Sequence, residues 1–519
     1  MMTWIFIFLS GLLMSVAHPI KYENFSIPNS WFTILVATIG LCLFLSRTLS
    51  EANPRRRFLK AWFGSLIYFV ITIFWISVAL HTFGDINLFI SILACVLLSA
   101  YCAVFSGVWA LIAGSEAVRH RPFFLKILAW ASLWTFCEAV RQYFLTGFGW
   151  GELGFAFYFA PWLAKTAAFW GVHGLTFLWV FIAALLIHFK LFFPTFSRNR
   201  ENLKPAFIAL GIWIVVGSIG TYFSLRLIKA DLKLTKISIV QPNIAQEIKW
   251  NPDSSEQNLK TLIELTLEAA KQSPAIIVWP ETSFPYLIRA PQKQMPVLTT
   301  TPIVIGAVIR ENQVNRNSAI LVENDQITSR FDKIHLVPFG EFVPLKNWLP
   351  FGKLVANAGD FLSGAIDQPL LQPTNSILKM GSLICYEDTF SRESVRHAKK
   401  GANLLVNLTN DAWYGDTSAQ LQHAAMAQFQ VFQTGLPMIR STNDGVSTFL
   451  SLNEREDLPS FHKQTLTREL PISQNPQQTF FVWTYPLMEW IWLAIFVIAI
   501  LWKETFHQKL KRRKIFFSN

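Results

Sequence analysis

The chain has 519 residues, of which 52% are hydrophobic and only 15% charged, with a mean hydropathy of +0.35. A soluble protein of this length carries about a quarter charged residues, so a wholly water-soluble fold is excluded. The net charge of +12 does not point to nucleic acid: residues 232–478 hold 22 Lys+Arg against 23 Asp+Glu, and the excess of base lies beside the apolar runs, as membrane topology requires.

From Met1 to about Leu225 apolar runs alternate with short basic or polar loops. A bilayer needs ~20 apolar residues per helix. Spans are predicted to begin near Thr3, Trp31, Trp62, Leu88, Phe124, Trp162 and Phe207, with an eighth from Phe481. Met1–Ala17, ending in Ser15-Val16-Ala17, has an alternative reading as a signal peptide, but it lacks a basic n-region, so a retained helix is favoured. Basic clusters follow every second span: Arg47, Arg55–Arg57 and Lys60; Arg119, Arg121 and Lys126; Lys190, Arg198, Arg200 and Lys204; Lys509, Lys511–Lys514. The positive-inside rule makes these cytoplasmic, with both termini inside and the segment after the seventh span outside. Arg226 and Lys229 dissent mildly. Glu138, Arg141, His173 and Glu489 lie at membrane depth, where charges often mark transport pathways. No internal duplication of the transporter kind is visible, and an i, i+3 pairing of Glu138 with Arg141 is the simpler expectation.

Residues 232–478 read as a soluble α/β unit between the N-terminal helices (1–228) and a last helix (481–502) with a basic tail (503–519). Strands are expected at Lys236–Gln241, Ala275–Trp279, Pro302–Gly306, Ser382–Cys385 and Leu404–Leu408. A hairpin is expected from Ser318–Glu323 and Gln326–Leu336 across Asn324-Asp325, and helices at Ser254–Lys271, Arg392–Ala402 and Ala419–Gln433. This alternation implies sheets covered by helices.

Reactive residues fall where strands end: Glu281 after Trp279-Pro280, Cys385 before Tyr386-Glu387, and Lys333 before a run ending at Glu341. Cys42, Cys95, Cys102 and Cys137 lie in apolar spans, where a small buried hydrophobe is expected. Cys385 alone lies in 232–478. With no disulfide partner there it is either buried and inert or reactive, and spacing alone leaves both open.

Its neighbours give more. Glu281, Lys333 and Cys385, in that chain order, resemble the nitrilase (carbon–nitrogen hydrolase) superfamily. Val278-Trp-Pro-Glu281, Asp332–Pro344, Ile384-Cys-Tyr-Glu387, Asn407–Gly415, Arg440–Gly445, Val240-Gln-Pro-Asn-Ile with Lys249-Trp250, and Leu145–Trp150 together resemble the apolipoprotein N-acyltransferase family over essentially the whole chain. The resemblance implies a polytopic helical membrane domain plus an α-β-β-α sandwich. It implies a membrane phospholipid as acyl donor, the diacylglyceryl-cysteine amine of an apolipoprotein as acceptor, and neither metal nor organic cofactor. Catalysis would fall to Glu281, Lys333 and Cys385, with Trp250, Glu341, Tyr386 and Glu387 in support, in the bacterial inner membrane with the catalytic domain in the periplasm.

The chemistry suits those residue types. A thiol attacks and leaves again once deprotonated, Glu281 is the expected base, and Lys333 with the Tyr386 N–H the expected oxyanion donors. Glu341 and Glu387 are expected to hold Lys333 charged and oriented. His335 and His423 read as structural rather than as partners of Cys385 in a thiol-protease dyad. Leu345–Val355 mixes Trp, Phe and Leu with Lys, as an interfacial lid would. A membrane-anchored amidase and a non-catalytic assembly factor are the rival readings, and a monomer is expected.

Overall fold

The computed structural model describes residues 2–188, 203–228, 231–292, 294–295, 299–342 and 361–502. The expected lid Leu345–Val355, the tail 503–519 and the cluster Lys190–Arg200 lie outside the described residues.

Among the described residues four helices are long and apolar enough to cross a membrane: Trp31–Leu49, Leu88–Ala113, Phe123–Arg141 and Lys204–Arg226. Two bent pairs bring the number to six if each counts once: Pro54–Thr72 with Trp75–Phe83, bent by 52°, and Pro161–Trp170 with Val172–Ile187, bent by 112°. Met2–Ser15 and Leu487–Leu501 are shorter apolar helices. About eight spans were the expectation; among the described residues length and composition support four to six, with the two shorter helices beside them. The sharper bend turns at Gly171, whose φ of +70° favours glycine and whose missing side chain leaves room for Phe481, since a Cβ would lie 2.4 Å from that ring. The third span begins earlier than expected, at Pro54 with Asn53 as N-cap, so Arg55–Arg57 and Lys60 sit on its first turns. The run from Phe481 divides into Phe480–Thr484 and Leu487–Leu501 on either side of Pro486, which has no N–H to continue a helix.

The polar residues at membrane depth pair differently from expectation. Arg141 gives its Nη1 to the carbonyls of Phe148 (2.8 Å) and Trp150 (2.7 Å), while Glu138 accepts from Trp134, Leu153 N–H and Thr176. The i, i+3 ion pair gives way to these because the Leu145–Trp150 loop folds back over the end of the helix and its buried backbone groups need partners. His173 lies 3.3 Å from Glu152 and 3.4 Å from Glu489, joining helix Val172–His188 to the turn before Leu153–Phe157 and to the last helix.

The α/β unit consists of two sheets packed face to face. The larger has the order Gln464–Ser473, Leu232–Gln241, Ile276–Val278, Ile303–Glu311, Val314–Glu323, Gln326–Asp332, with Ile288–Arg289 paired beside Ile303–Glu311. The smaller runs Arg455–Asp457, Thr448–Leu450, Met438–Thr442, Leu404–Thr409, Met380–Ile384. The predicted hairpin is present as the antiparallel pair Val314–Glu323 and Gln326–Asp332. Strand alternation builds the layers. Ile276 and Val278 face Met380, Ile384, Leu404 and Val406 of the other sheet, while Ile277 between them packs on Leu262, Leu265 and Ala269 of helix Ser255–Ala270. On the far side Leu383 and Leu405 meet Val395, Ala427 and Val431 of helices Ser391–Lys399 and Ser418–Thr434. The result is a helix–sheet–sheet–helix sandwich.

Helix Ser418–Thr434 joins the sandwich to the membrane block. Ala427 and Val431 cover the smaller sheet, whereas Met426, Phe429 and Phe432 belong to the apolar core of the membrane helices. Buried on both sides, its polar residues must find protein partners. Gln422 accepts from the indoles of Trp150 (2.9 Å) and Trp75 (3.3 Å) and donates to the carbonyls of Pro19 and Thr72. Three separate stretches of the N-terminal block, at Pro19, Thr72–Trp75 and Trp150, are thereby fixed to one side chain.

Candidate active site

Parallel strands align their carboxyl ends, and loops there can converge. Glu281 follows Ile276–Val278, Cys385 follows Met380–Ile384, Asn410 and Asp411 follow Leu404–Thr409, and Asp444 follows Met438–Thr442. Lys333 follows Gln326–Asp332, and its N–H and carbonyl are held by Asn317 O and Gly364 N–H, 2.8 Å each.

Glu281 and Lys333 form one buried network. The Lys333 ammonium, 1% exposed, lies 3.2 Å from Glu281 Oε1 and 3.0 Å from the Glu341 carboxylate. Asn317 Nδ2 donates to both acids, at 2.7 Å to Glu281 and 2.9 Å to Glu341. The other Glu281 oxygen accepts from the Asn410 N–H at 3.1 Å, and the second Glu341 oxygen from Val337 N–H at 2.8 Å. Burial works against the Lys333 charge, but Glu281 and Glu341 outweigh it and hold the ammonium above its ordinary range.

Cys385 sits at the turn between its strand and the short helix Cys385–Thr389, with φ +52° and 6% exposure. A non-glycine residue in that conformation is strained and is found where a side chain must be presented at a fixed angle. Burial and the Glu281 charge push its thiol well above the usual range, while Lys333 pulls it down. At rest the sulfur therefore carries its proton, and the acids and ammonium that govern it are the ones just described.

The four supporting residues lie in different surroundings. Glu341 contacts Lys333 directly. Glu387 does not: its carboxylate accepts from the N–H groups of Ile334 (2.7 Å), His335 (2.9 Å) and Ile384 (2.8 Å). It ties the loop after Lys333 to the strand before Cys385, because those buried N–H groups lie nearer to it than the ammonium does. Tyr386 points toward the membrane block, donating to Gly147 O at 3.1 Å and stacking on Trp150 at 6.0 Å. Trp250 is 44% exposed at the end of helix Gln246–Lys249 and stands apart from the network. Its neighbour Lys249 points inward.

The histidines are occupied elsewhere. His423 lies between Asp388 (2.7 Å) and Asp411 (3.0 Å), with Arg440 3.0 Å from Asp411. Burial and Arg440 disfavour its charge, but the two aspartates outweigh them and raise it to about 9. His335 packs on Phe390 and meets Arg392 at 2.9 Å.

Sequence reasoning missed Asn317 and reached Asn410 only within the Asn407–Gly415 motif. Asn317 carried a signal: it shares the inward face of Val314–Glu323 with Ala319 and Leu321, and an amide at an inward position of an apolar strand needs a purpose.

Residues 10–185 match the apolipoprotein N-acyltransferase N-terminal domain, and residues 236–467 match carbon-nitrogen hydrolase. An apolipoprotein N-acyltransferase of Brucella melitensis is 32% identical, covering 85% of this chain and 84% of its own. The chain belongs to the apolipoprotein N-acyltransferase family. The Geobacter metallireducens apolipoprotein N-acyltransferase is 28% identical over 90% of this chain and 89% of its own, and that of Haemophilus influenzae 29% over 90% and 89%. Both halves of the chain thus take part in the likeness, as the shared core around helix Ser418–Thr434 requires. It is a membrane protein with a nitrilase-like catalytic fold.

Proposed function

We propose that the protein acylates lipoproteins, moving a fatty acyl chain from a membrane phospholipid to the N-terminal amine of a diacylglyceryl-cysteine through a thioester on Cys385. The observation that carries this reading is a buried thiol at positive φ, at the end of a strand beside the buried Glu281–Lys333 pair, in a domain whose helix Ser418–Thr434 is built into a membrane block. A donor that stays in the bilayer needs such a mounting; a small amide in water does not.

Glu281 takes the Cys385 proton as sulfur attacks the ester carbonyl. Asn317 and Asn410 fix both Glu281 oxygens, so the base is already oriented. Negative charge then develops on the former carbonyl oxygen. Lys333, held charged by Glu281 and Glu341, stabilises it with the Tyr386 N–H. Collapse expels the lyso-phospholipid alkoxide, which leaves with the proton that Glu281 holds. The incoming amine then attacks the thioester, Glu281 accepts its proton, and the amide forms as Cys385 regains its hydrogen. Tyr386 and Trp150 supply the apolar wall that keeps water from the thioester. The alternation of basic clusters along the sequence supports a catalytic domain outside the cytoplasm.

Intact mass after incubation with phospholipid alone tests the first half. Wild type is expected to gain one acyl mass, removable by hydroxylamine, and to release lyso-phospholipid. Cys385→Ala is expected to gain nothing, and Glu281→Gln and Lys333→Ala to gain it at least ~10²-fold more slowly. Acyl mass on Cys385→Ala, or double-reciprocal plots that intersect instead of running parallel, would overturn the mechanism.

A further inference from the structure

The turn that presents Glu281 is strained. After Ile276–Val278 the chain reverses through Pro280-Glu281-Thr282, and Thr282 lies at φ +45°, a poor conformation for a β-branched residue. From one side the turn rests on Gly306, where a Cβ would stand 2.1 Å from Pro280 O and 2.6 Å from Glu281 Cα. From the other side comes Lys249. Its ammonium, 4% exposed, donates to Glu281 O at 3.1 Å and to Thr282 Oγ1 at 3.0 Å.

We infer that Lys249 is a positioning residue for the proposed acyl transfer: it clamps the backbone of the general base so that the Glu281 carboxylate stays aimed at Cys385. Two observations separate this from a lysine that merely fills space. Both its bonds go to the two residues of the strained turn, one of them the base itself. It also brings charge: Lys333 is shared by two carboxylates, Glu281 and Glu341, and Lys249 adds a second cation at the main chain of Glu281. The ammonium is held at a cost. Burial pulls it down to about 8, while Glu281, Asp444 and Cys385 oppose the fall. A neutral donor would have satisfied the turn without that cost.

The inference rests on the acyl-transfer reading for its substrate but not for its test. The rate at which iodoacetamide alkylates Cys385, followed by peptide mass, depends on Glu281 taking the thiol proton and needs no lipid. Lys249→Met is expected to slow both alkylation and acyl-enzyme formation by about ten- to a hundredfold, the size of effect that small misplacement of a reacting group produces. KM for phospholipid should stay within about twofold of wild type, because the lysine does not touch the lipid. Lys249→Arg should recover most of the rate. Thr282→Val, which removes one acceptor, should give a smaller loss, and the double variant Lys249→Met/Thr282→Val should be no slower than Lys249→Met alone, as a shared interaction demands. Wild-type alkylation by folded Lys249→Met overturns the assignment, as does a loss that merely tracks its melting temperature. If Lys249→Met does not fold, wild-type rates in Thr282→Val overturn it. If wild type takes no acyl group from phospholipid while Lys249→Met still slows alkylation, the donor assignment falls and the positioning role stands.

Discussion

Replacing Glu387 by Gln isolates the role that the structure gives this acid. The carboxylate accepts three backbone N–H groups, two on Oε1 and one on Oε2, and it is 1% exposed. Glutamine has one acceptor oxygen. In either amide orientation its NH2 faces at least one N–H, so one charge-assisted bond is lost and a buried donor is orphaned. Leaving one buried donor unpaired costs about 1–3 kcal/mol. For a domain of this size about 2 kcal/mol corresponds to a fall of roughly 6 °C in melting temperature, measurable by tryptophan fluorescence in detergent. The loop Ile334-His335 would also loosen from the Cys385 strand, and Lys333 with it, slowing acyl-enzyme formation by about ten- to a hundredfold. If Glu387→Gln melts within 2 °C of wild type, taken as roughly the width of a 1 kcal/mol effect, and acylates at the wild-type rate, the three N–H bonds do not join the two loops as described.

Stability should also depend on His423. Its value rises from 6.5 in the unfolded chain to about 9 in the fold, so its contribution, on the order of 3 kcal/mol, is fully present below pH 6.5 and lost as pH rises through about 9. Melting temperature should fall across that window, and His423→Gln should flatten the fall; a flat wild-type profile would refute the ionised Asp388–His423–Asp411 arrangement. Membrane orientation is checked with alkaline phosphatase fusions, expected to be active after Gln478 and inactive after Lys511, and the reverse result would invert the topology.

The sequence disclosed the central sandwich strands because they alternate or run apolar between turn residues, as at Ala275–Trp279 and Leu404–Leu408. It did not disclose Met438–Thr442, whose Arg440 and Ser441 break the apolar pattern; Arg440 is buried only because Asp388 and Asp411 await it from other loops. Glu341 was legible because it shares a short motif with Lys333. Glu387 was misread because a carboxylate beside a nucleophile suggests a charge partner, whereas its partners are backbone N–H groups that no sequence displays. Membrane spans were legible as apolar runs, but their bends were not, since the turn at Gly171 depends on Phe481, some 300 residues away.

The same long-range packing explains how the site can hold a reactive thiol in check. Burial and the Glu281 charge push the Cys385 thiol up, so in the proposed mechanism it attacks only when Glu281 can receive its hydrogen. The residue after Cys385, Tyr386, is bonded to Gly147 and stacked on Trp150. Trp150 is bonded in turn to Gln422 on the helix that carries the smaller sheet. These buried polar contacts have no water to fall back on, so each is costly to leave unmade and the whole set favours a single arrangement. A catalytic domain cut from its membrane helices would lose the partners of Tyr386 and Gln422 together and expose the apolar face of Met426, Phe429 and Phe432. The membrane block is therefore part of the active site's scaffold as well as its anchor, which is why the resemblance to the family extends through both halves of the chain.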